Sequence, residues 1–199
     1  MIPHAAWLAC EGERLRYAFP LTMGSIVVDA GGYTGEWAGR IASAALCRVE
    51  VFEPIEQYAD QARRLLAGSK CRVHTAGLGA DDRETEMTLA GDASSAWDHD
   101  SEKPTVIARM VAAGPMFESL GLDIVDLLKI NIEGGEYELL PHLIETGYIR
   151  KVRFLLIQWH SCVPYFEHRR DAITKDLEKT HRVLWQFPWV WEAWERKAA

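Results

Sequence analysis

The segment "IVVDAGGYTGEWAGRIA", residues 26–42, constrains the fold of this chain more than any other. Its first five residues, Ile26–Ala30, form an apolar run broken only by one acid. Such a run is typical of a parallel strand covered on both faces. Three glycines follow within five positions, and from Glu36 the apolar residues recur at helical spacing. A strand, a glycine-rich loop and a helix in this order predict the binding of a ligand with a nucleotide-like body.

The rest of the chain continues to alternate between predicted strands and helices. Strands are expected in "RVEVFEP", "CRVHTAGL", "LDIVDLLKINIE" and "VRFLLIQWH", with an alternating piece in "ETEMTLA"; helices are expected over 55–67, "EYELLPHLIETGY" with a break at Pro141, and 168–180. The Trp-rich tail alternates around Phe187-Pro188-Trp189 as a hairpin does. This order predicts an α/β domain over 26–199, a Rossmann-like, doubly wound, mostly parallel sheet with a C-terminal antiparallel β-hairpin. Residues 1–25 are expected to be a peripheral lead-in with a strand near "LRYAF".

The composition and net charge limit the classes of partner that this protein could bind. The chain has 199 residues, 48% of them hydrophobic, a net charge of −7 and four scattered cysteines. No apolar run is long enough to span a membrane, and the N-terminus lacks a secretory pattern, so we expect a cytoplasmic protein with free thiols. Phosphate binding needs concentrated Lys and Arg, so the acidic balance argues against nucleic acid and favours a small acceptor. The tryptophans of the tail are mostly expected in the core, although a homodimer interface is possible.

Asp29 discriminates between the nucleotides that the glycine loop could bind. Aligning Gly35 with the last glycine of a dinucleotide GxGxxG pattern puts Ala30 at the first position, so the match is incomplete. A carboxylate at the end of the first strand would also repel a pyrophosphate. S-adenosylmethionine has an ammonium group and no phosphate, and Glu53, at the tip of the second strand, could accept hydrogen bonds from its ribose. A nicotinamide-dependent oxidoreductase and a non-catalytic nucleoside-binding domain are the alternatives.

Several segments together resemble a known family. "VVDAGGYTGEWA", "VEVFEP", "HTAGLG", "DLLKINIEGGEYELL" and "LIQWH" occur in the order and spacing of FkbM-type S-adenosylmethionine-dependent methyltransferases, between Ile26 and His160. The resemblance implies a class I methyltransferase fold with S-adenosylmethionine as the cofactor. This chain departs from the usual pattern at Asn131, where the family usually has Asp, and at Gly32-Tyr33, where it usually has Ala-Asn.

The resemblance also assigns parts of the donor to parts of the chain. It implies that the glycine loop lines the methionine end, Glu53 the ribose and Gly77-Leu78 the adenine, while Lys129 to Glu133 closes the far wall. The candidate cofactor-binding residues are Asp29, Gly31, Gly32, Tyr33, Gly35, Glu53, Pro54, Gly77, Leu78 and Asn131.

The expected chemistry is O-methylation of a small-molecule or sugar hydroxyl, which requires removal of the hydroxyl proton. The candidates at the strand ends are His160, Glu133 and Glu136. His160 titrates nearest neutrality and is the candidate general base, the alternative being a structural histidine at a strand end. Glu133 could orient the acceptor, contact the donor's amino group or cap the following helix. Glu133, His160 and Asn131 could in principle hold a metal, but hard cations usually bind more carboxylates, so none is predicted. The polar loop over 92–104 offers further acceptor contacts at Ser94, Ser95 and Trp97.

Overall fold

The computed structural model describes residues 3–89, 91, 94 and 103–198. The strands are β1 (Ile26–Ala30), β2 (Arg48–Phe52), β3 (Cys71–His74), β4 (Gly77–Gly79), β5 (Arg83–Thr88), β6 (Thr105–Ala112), β7 (Val125–Ile130), β8 (Val152–Ile157), β9 (His181–Phe187) and β10 (Trp191–Arg196). The helices are α1 (Pro3–Ala9), α2 (Glu36–Ala45), α3 (Glu56–Leu65), α4 (Ala113–Ser119), α5 (Glu136–Glu145) and α6 (Phe166–Leu177), with 3-10 helices over Gly12–Tyr17 and Tyr148–Lys151. None of these helices is both long and apolar enough to cross a bilayer.

Seven strands form the main sheet, in the order β3-β2-β1-β7-β8-β10-β9. The first five are mutually parallel, β10 runs antiparallel to β8, and β9 runs antiparallel to β10. This confirms the doubly wound sheet and its closing hairpin. Since β1 and β7 are neighbours at the centre, the register pairs Asp29 directly with Lys129.

Both faces of the main sheet are covered, which explains its apolar strands. Residues at alternate positions of β1 enter different cores: Val28 packs in the core that also contains α5, and Val27 packs in the core that also contains α2. The N-terminal segment contributes to the second core through Trp7, whose side chain is buried against the hairpin residues Trp185 and Phe187. Its "LRYAF" portion begins in a 3-10 helix, so the strand expected there was wrong.

A second sheet has the order β4-β6-β5. The sequence "CRVHTAGL", expected to be one strand, is divided between the two sheets: β3 pairs with β2, and after a bend at Thr75-Ala76 β4 pairs with β6. The alternation in "ETEMTLA" is confirmed by β5, which runs antiparallel to β6. Two elements, β6 and α4, were not predicted from the sequence. In α4 the helical signal is weakened by Gly114 and Pro115, two poor helix formers.

The break expected at Pro141 does not occur, because α5 runs through this residue. A proline inside a helix leaves the carbonyl four residues earlier without its usual donor. Here that carbonyl belongs to Tyr137, and it accepts a hydrogen bond from Arg169 Nη2 at 3.1 Å. A side chain of α6 therefore replaces the missing helical hydrogen bond.

Candidate functional site

A cleft with a volume of about 350 Å³ lies at the carboxyl ends of the central parallel strands. Loops after β1, β2 and β7 form one side, and the three-stranded sheet contributes the other. The sequence-predicted residues that line it are Gly31, Gly32, Tyr33, Glu53, Pro54, Gly77, Leu78, Asn131 and Glu133. The strand ends therefore meet at one cleft, but Asp29, Gly35 and His160 lie outside its lining.

Other lining residues were not singled out from the sequence: Arg16, Tyr17, Thr34, Glu36, Trp37, Tyr58, Arg83, Thr85, Met87, Met110 and Glu138. Those of the small sheet could have been found only by recognising β6 and the bend before β4. Arg16 and Tyr17 come from the N-terminal segment, which carries no motif. From the polar loop, Ser94 lines the cleft, whereas Ser95 and Trp97 lie outside the described residues.

The glycines of the loop after β1 allow this loop to pack closely against neighbouring backbone. The Gly31 and Gly32 N–H groups both donate to the Phe52 carbonyl at 3.0 Å. Gly31 has a φ of +82°, and a Cβ there would lie 1.9 Å from the Asn131 carbonyl oxygen. Gly35, with a φ of +88°, precedes α2 and packs on Ala62. Close approach of backbone to backbone is therefore the reason for Gly31, and helix initiation beside α3 is the reason for Gly35.

Glu53 is held by two backbone groups. Its Oε2 accepts the Tyr33 N–H at 2.8 Å, and its Oε1 accepts the Ile55 N–H at 2.9 Å. Burial raises the pKa of Glu53, and these two hydrogen bonds oppose that rise. Since a carboxylate has about four acceptor positions, it retains capacity for ligand hydroxyls. Tyr33, at a left-handed φ of 46°, packs its ring on Tyr58 at 4.7 Å.

Asp29 is fully buried and pairs with Lys129 instead of facing the cleft. Lys129 Nζ lies 2.9 Å from Asp29 Oδ1 and donates to the Gly31 carbonyl at 2.6 Å. Burial raises the pKa of Asp29, while the charges of Lys129 and Arg16 lower it. Asp29 was expected to favour a donor with an ammonium group over a pyrophosphate; in the structure Lys129 compensates its charge and ties it to the glycine loop.

His160 lies between two glutamates. Its Nε2 is 2.9 Å from Glu133 Oε1, and its Nδ1 is 3.2 Å from Glu136 Oε1. Glu136 is fully buried and also accepts the N–H groups of His160 and Gly134. Glu133 adopts a left-handed φ of 47°. Glu136, in the first turn of α5, thus ties the backbone after β7 to the backbone at His160.

This environment disfavours the role of general base that the sequence suggested for His160. Burial alone would lower the pKa of His160, but its hydrogen bonds to Glu133 and Glu136 and their charges outweigh burial and raise the pKa to about 9. At neutral pH the ring is an imidazolium with both nitrogens facing carboxylates, so it has no site at which to accept a proton. In this arrangement His160 positions Glu133. Among the described residues, no set of three His, Cys, Asp or Glu side chains is arranged to hold a metal ion.

The raised pKa of His160 makes stability depend on pH. The folded protein holds this proton more tightly than the unfolded chain, so the stabilisation is complete below about pH 6.5 and is lost as the pH rises towards 9. Over this interval we expect the free energy of unfolding of the wild type to fall by about 3 kcal/mol more than that of His160→Asn. Urea unfolding at a series of pH values measures the difference. Parallel pH profiles for the two proteins would contradict the assignment.

The polar groups of the cleft suit a ligand that carries hydrogen-bond donors. Asp29 Oδ2 and Asn131 Oδ1 are buried oxygens without a hydrogen-bond partner among the described residues. They lie at the ends of neighbouring strands, beside the loop that Gly31 closes. Because an unpaired buried acceptor is costly, a bound ammonium or hydroxyl group at Asn131, which lines the cleft, would be stabilising. The amino-acid end and ribose of S-adenosylmethionine carry these groups, so the residues present fit this donor.

Solved structures with the same fold include proteins named as methyltransferases. A putative rRNA methylase from Clostridium thermocellum gives a TM-score of 0.57 at 11% identity, over 96% of both chains. A putative methyltransferase from Streptococcus mutans, in complex with SAH, gives 0.56 at 10% identity, over 94% of this chain and 97% of that chain. The fibrillarin pre-rRNA processing protein of Methanococcus jannaschii gives 0.54 at 10% identity, over 92% and 70%. At such identities the likeness shows the fold.

The family follows from the sequence itself. No protein of curated function matches the chain. The model of the methyltransferase FkbM domain matches residues 29–184, which is well over half of the chain and spans β1 to β9. The match also decides the donor class that the glycine loop had left open, because these enzymes use S-adenosylmethionine and not a nicotinamide. The chain therefore belongs to the FkbM family of S-adenosylmethionine-dependent methyltransferases.

Proposed function

We propose that this protein methylates a hydroxyl group of a small molecule or sugar. The observation that carries the proposal is the carboxylate of Glu133, which lines the cleft with 21% of its side chain exposed and has His160 Nε2 at 2.9 Å. A fixed carboxylate can accept the hydrogen bond of an alcohol and then its proton. A neutral alcohol needs such a group because it is a poor nucleophile.

In this proposal the chain's residues divide between donor and acceptor. Asn131, the Asp29–Lys129 pair and the glycine loop hold the amino-acid end, Glu53 holds the ribose, and Gly77 with Leu78 contacts the base. When bound, S-adenosylmethionine supplies an electrophilic methyl group on a sulfonium. Glu133 directs an oxygen lone pair of the acceptor towards that group and takes up the hydroxyl proton. Alignment of this kind can lower a barrier by about 7–11 kcal/mol.

The charges of the cleft support a neutral acceptor. Of the residues that the structure describes, four acidic ones line it, Glu36, Glu53, Glu133 and Glu138, against three basic ones, Arg16, Arg83 and Lys129. This balance is unfavourable for a polyanion, which needs an excess of Lys and Arg. Tyr58, Met87 and Met110 offer apolar contacts at which a sugar ring or a small organic molecule could pack. RNA, which the titles of several similar structures name, is the alternative acceptor class.

A transfer assay with methyl-labelled donor tests the proposal. The panel contains monosaccharides, small alcohols and phenols, single-stranded and duplex RNA, and a set of amines. We expect label in a neutral hydroxyl compound, as an alkali-stable ether. Label confined to RNA or to amines would overturn the proposal. Binding of S-adenosylhomocysteine without transfer to any acceptor would favour a non-catalytic domain.

A further inference from the structure

We propose that Arg16, in the N-terminal segment, binds the carboxylate at the amino-acid end of the donor. This inference rests on S-adenosylmethionine as the donor but not on the identity of the acceptor. It makes a segment that carries no sequence motif part of the cofactor site. Three observations lead to it: the placement of Arg16, the partners of the cations in the cleft, and the charges of the donor itself.

Arg16 is fixed beside the glycine loop by groups from several elements. Its carbonyl accepts a hydrogen bond from Trp37 Nε1 at 3.3 Å, and Trp37 lies in the first turn of α2. Its guanidinium carbon lies 4.5 Å from the centre of the Trp191 ring, in β10. Its side chain is only 19% exposed and lines the cleft. The guanidinium is thus held at the cleft wall before any ligand arrives, which lowers the entropy lost on binding.

The basic side chains that line the cleft differ in how far neighbouring protein groups already compensate their positive charge. Lys129 is taken up by Asp29 and the Gly31 carbonyl. Arg83 lies between two carboxylates, those of Asp81 and Glu138. Arg16 pairs through Nη1 with one carboxylate, that of Glu13 at 2.7 Å, and this partner is 62% exposed. Of these three cations, Arg16 therefore has the least compensated charge.

Two further properties point Arg16 towards an anionic ligand. Its Nε is buried and has no hydrogen-bond partner among the described residues. Its charge also lowers the pKa of Asp29, so the guanidinium acts at the end of β1, where the donor's amino-acid end is expected. An arginine fork with unused N–H groups matches the geometry of a carboxylate.

The donor's own chemistry completes the match. Its amino-acid end carries an ammonium and a carboxylate on one carbon. The unpaired Oδ1 of Asn131, which lines the cleft, suits the ammonium, whereas the neighbouring carboxylate needs a cation. Arg16, which also lines the cleft, supplies that cation from the N-terminal segment. A ligand that lacks the carboxylate should therefore lose the contact with Arg16 and keep the contacts with the other residues.

Calorimetric titration with two ligands tests the assignment. One ligand is S-adenosylhomocysteine, and the other is its decarboxylated analogue, in which hydrogen replaces the α-carboxylate. We expect Arg16→Met to weaken S-adenosylhomocysteine by about 10- to 100-fold, from the range for hydrogen bonds to charged groups. The decarboxylated analogue should lose less than about threefold, and Arg16→Lys should recover part of the loss. Arg14→Met is the matched control, because Arg14 is 80% exposed and pairs with Glu11; it should bind both ligands as the wild type does.

The ratio of the affinity losses for the two ligands distinguishes a lost contact with the carboxylate from a damaged fold. A damaged fold would weaken both ligands equally, so an equal loss for both in Arg16→Met would overturn the assignment. Unchanged affinity for S-adenosylhomocysteine would overturn it as well. A wild type that binds neither ligand would contradict the donor itself. Failure to methylate hydroxyl compounds, in contrast, would leave the ligand ratio unaltered and would count only against the proposed acceptor.

Discussion

Replacing Lys129 with methionine is expected to lower the free energy of unfolding by about 3–5 kcal/mol, the range for removing one partner of a buried ion pair. Asp29 is fully buried, and Lys129 Nζ is its ion-pair partner at 2.9 Å. Methionine keeps most of the length of the side chain and removes the charge, so Asp29 must stay ionised without its paired cation or take up a proton. The lost Nζ contact to the Gly31 carbonyl also loosens the glycine loop. Urea unfolding at pH 7 measures the change.

Two comparisons isolate this effect. Lys179→Met removes a lysine whose ion pair with Asp176 is 2.6 Å long but exposed, and it should cost less than about 1 kcal/mol. In Asp29→Asn/Lys129→Met the unpaired charge is absent, so much of the stability should return. Without Lys129 the already raised pKa of Asp29 rises further, and the single variant should become less stable relative to the wild type as the pH increases from 5 to 8. If Lys129→Met lost no more free energy of unfolding than Lys179→Met, the stabilising role of the buried Asp29–Lys129 pair would be contradicted.

Replacing Glu133 with glutamine is expected to reduce turnover of the hydroxyl acceptor by about 10²- to 10⁴-fold, the usual contribution of a general base. Glutamine keeps the size and one acceptor oxygen of Glu133, but it cannot take the hydroxyl proton. The donor contacts come from other residues, so affinity for S-adenosylhomocysteine should change by less than about threefold. Steady-state assays with the acceptor from the labelling screen, together with calorimetry, measure both quantities.

A matched control and a positional variant sharpen this test. Glu167→Gln alters an exposed glutamate at the start of α6 and should leave turnover unchanged. His160→Asn removes the imidazolium that holds Glu133, and it should reduce turnover less than Glu133→Gln does. If Glu133→Gln turned over at the wild-type rate, proton removal by Glu133 would be excluded. A larger effect in His160→Asn than in Glu133→Gln would return the role of base to the histidine.

The strand and helix pattern was readable because it depends on local periodicity. β1 and the start of α2 were predicted to the residue, since an apolar run and a glycine loop fix both boundaries. The N-terminal segment and β6 were not, because their short or mixed patterns acquire a structure only by packing on distant elements. Trp7, for example, is buried by the hairpin at the other end of the chain. Its burial has no local signal.

The candidate site divides in the same way. The resemblance named nine residues that line the cleft, and they meet there because the loops after β1, β2 and β7 end at one edge of a parallel sheet. It did not reveal Arg16, which reaches this edge through a 3-10 helix packed on Trp37 and Trp191. Nor did it reveal that His160 lies between Glu133 and Glu136. Typical pKa values suggested a base, whereas two neighbouring carboxylates make the ring a cation.

The sequence by itself determined the sheet, the glycine loop, the family and the donor, since these follow from residue order and spacing. The tertiary structure alone decided which charges are available to chemistry. Asp29, the most suggestive acid of the opening segment, is neutralised by Lys129 from the adjacent strand, whereas Glu133 remains open to the cleft. The physical reason is that the strength of a charge depends on its burial and on its partners within a few ångströms, and those partners are distant in the chain.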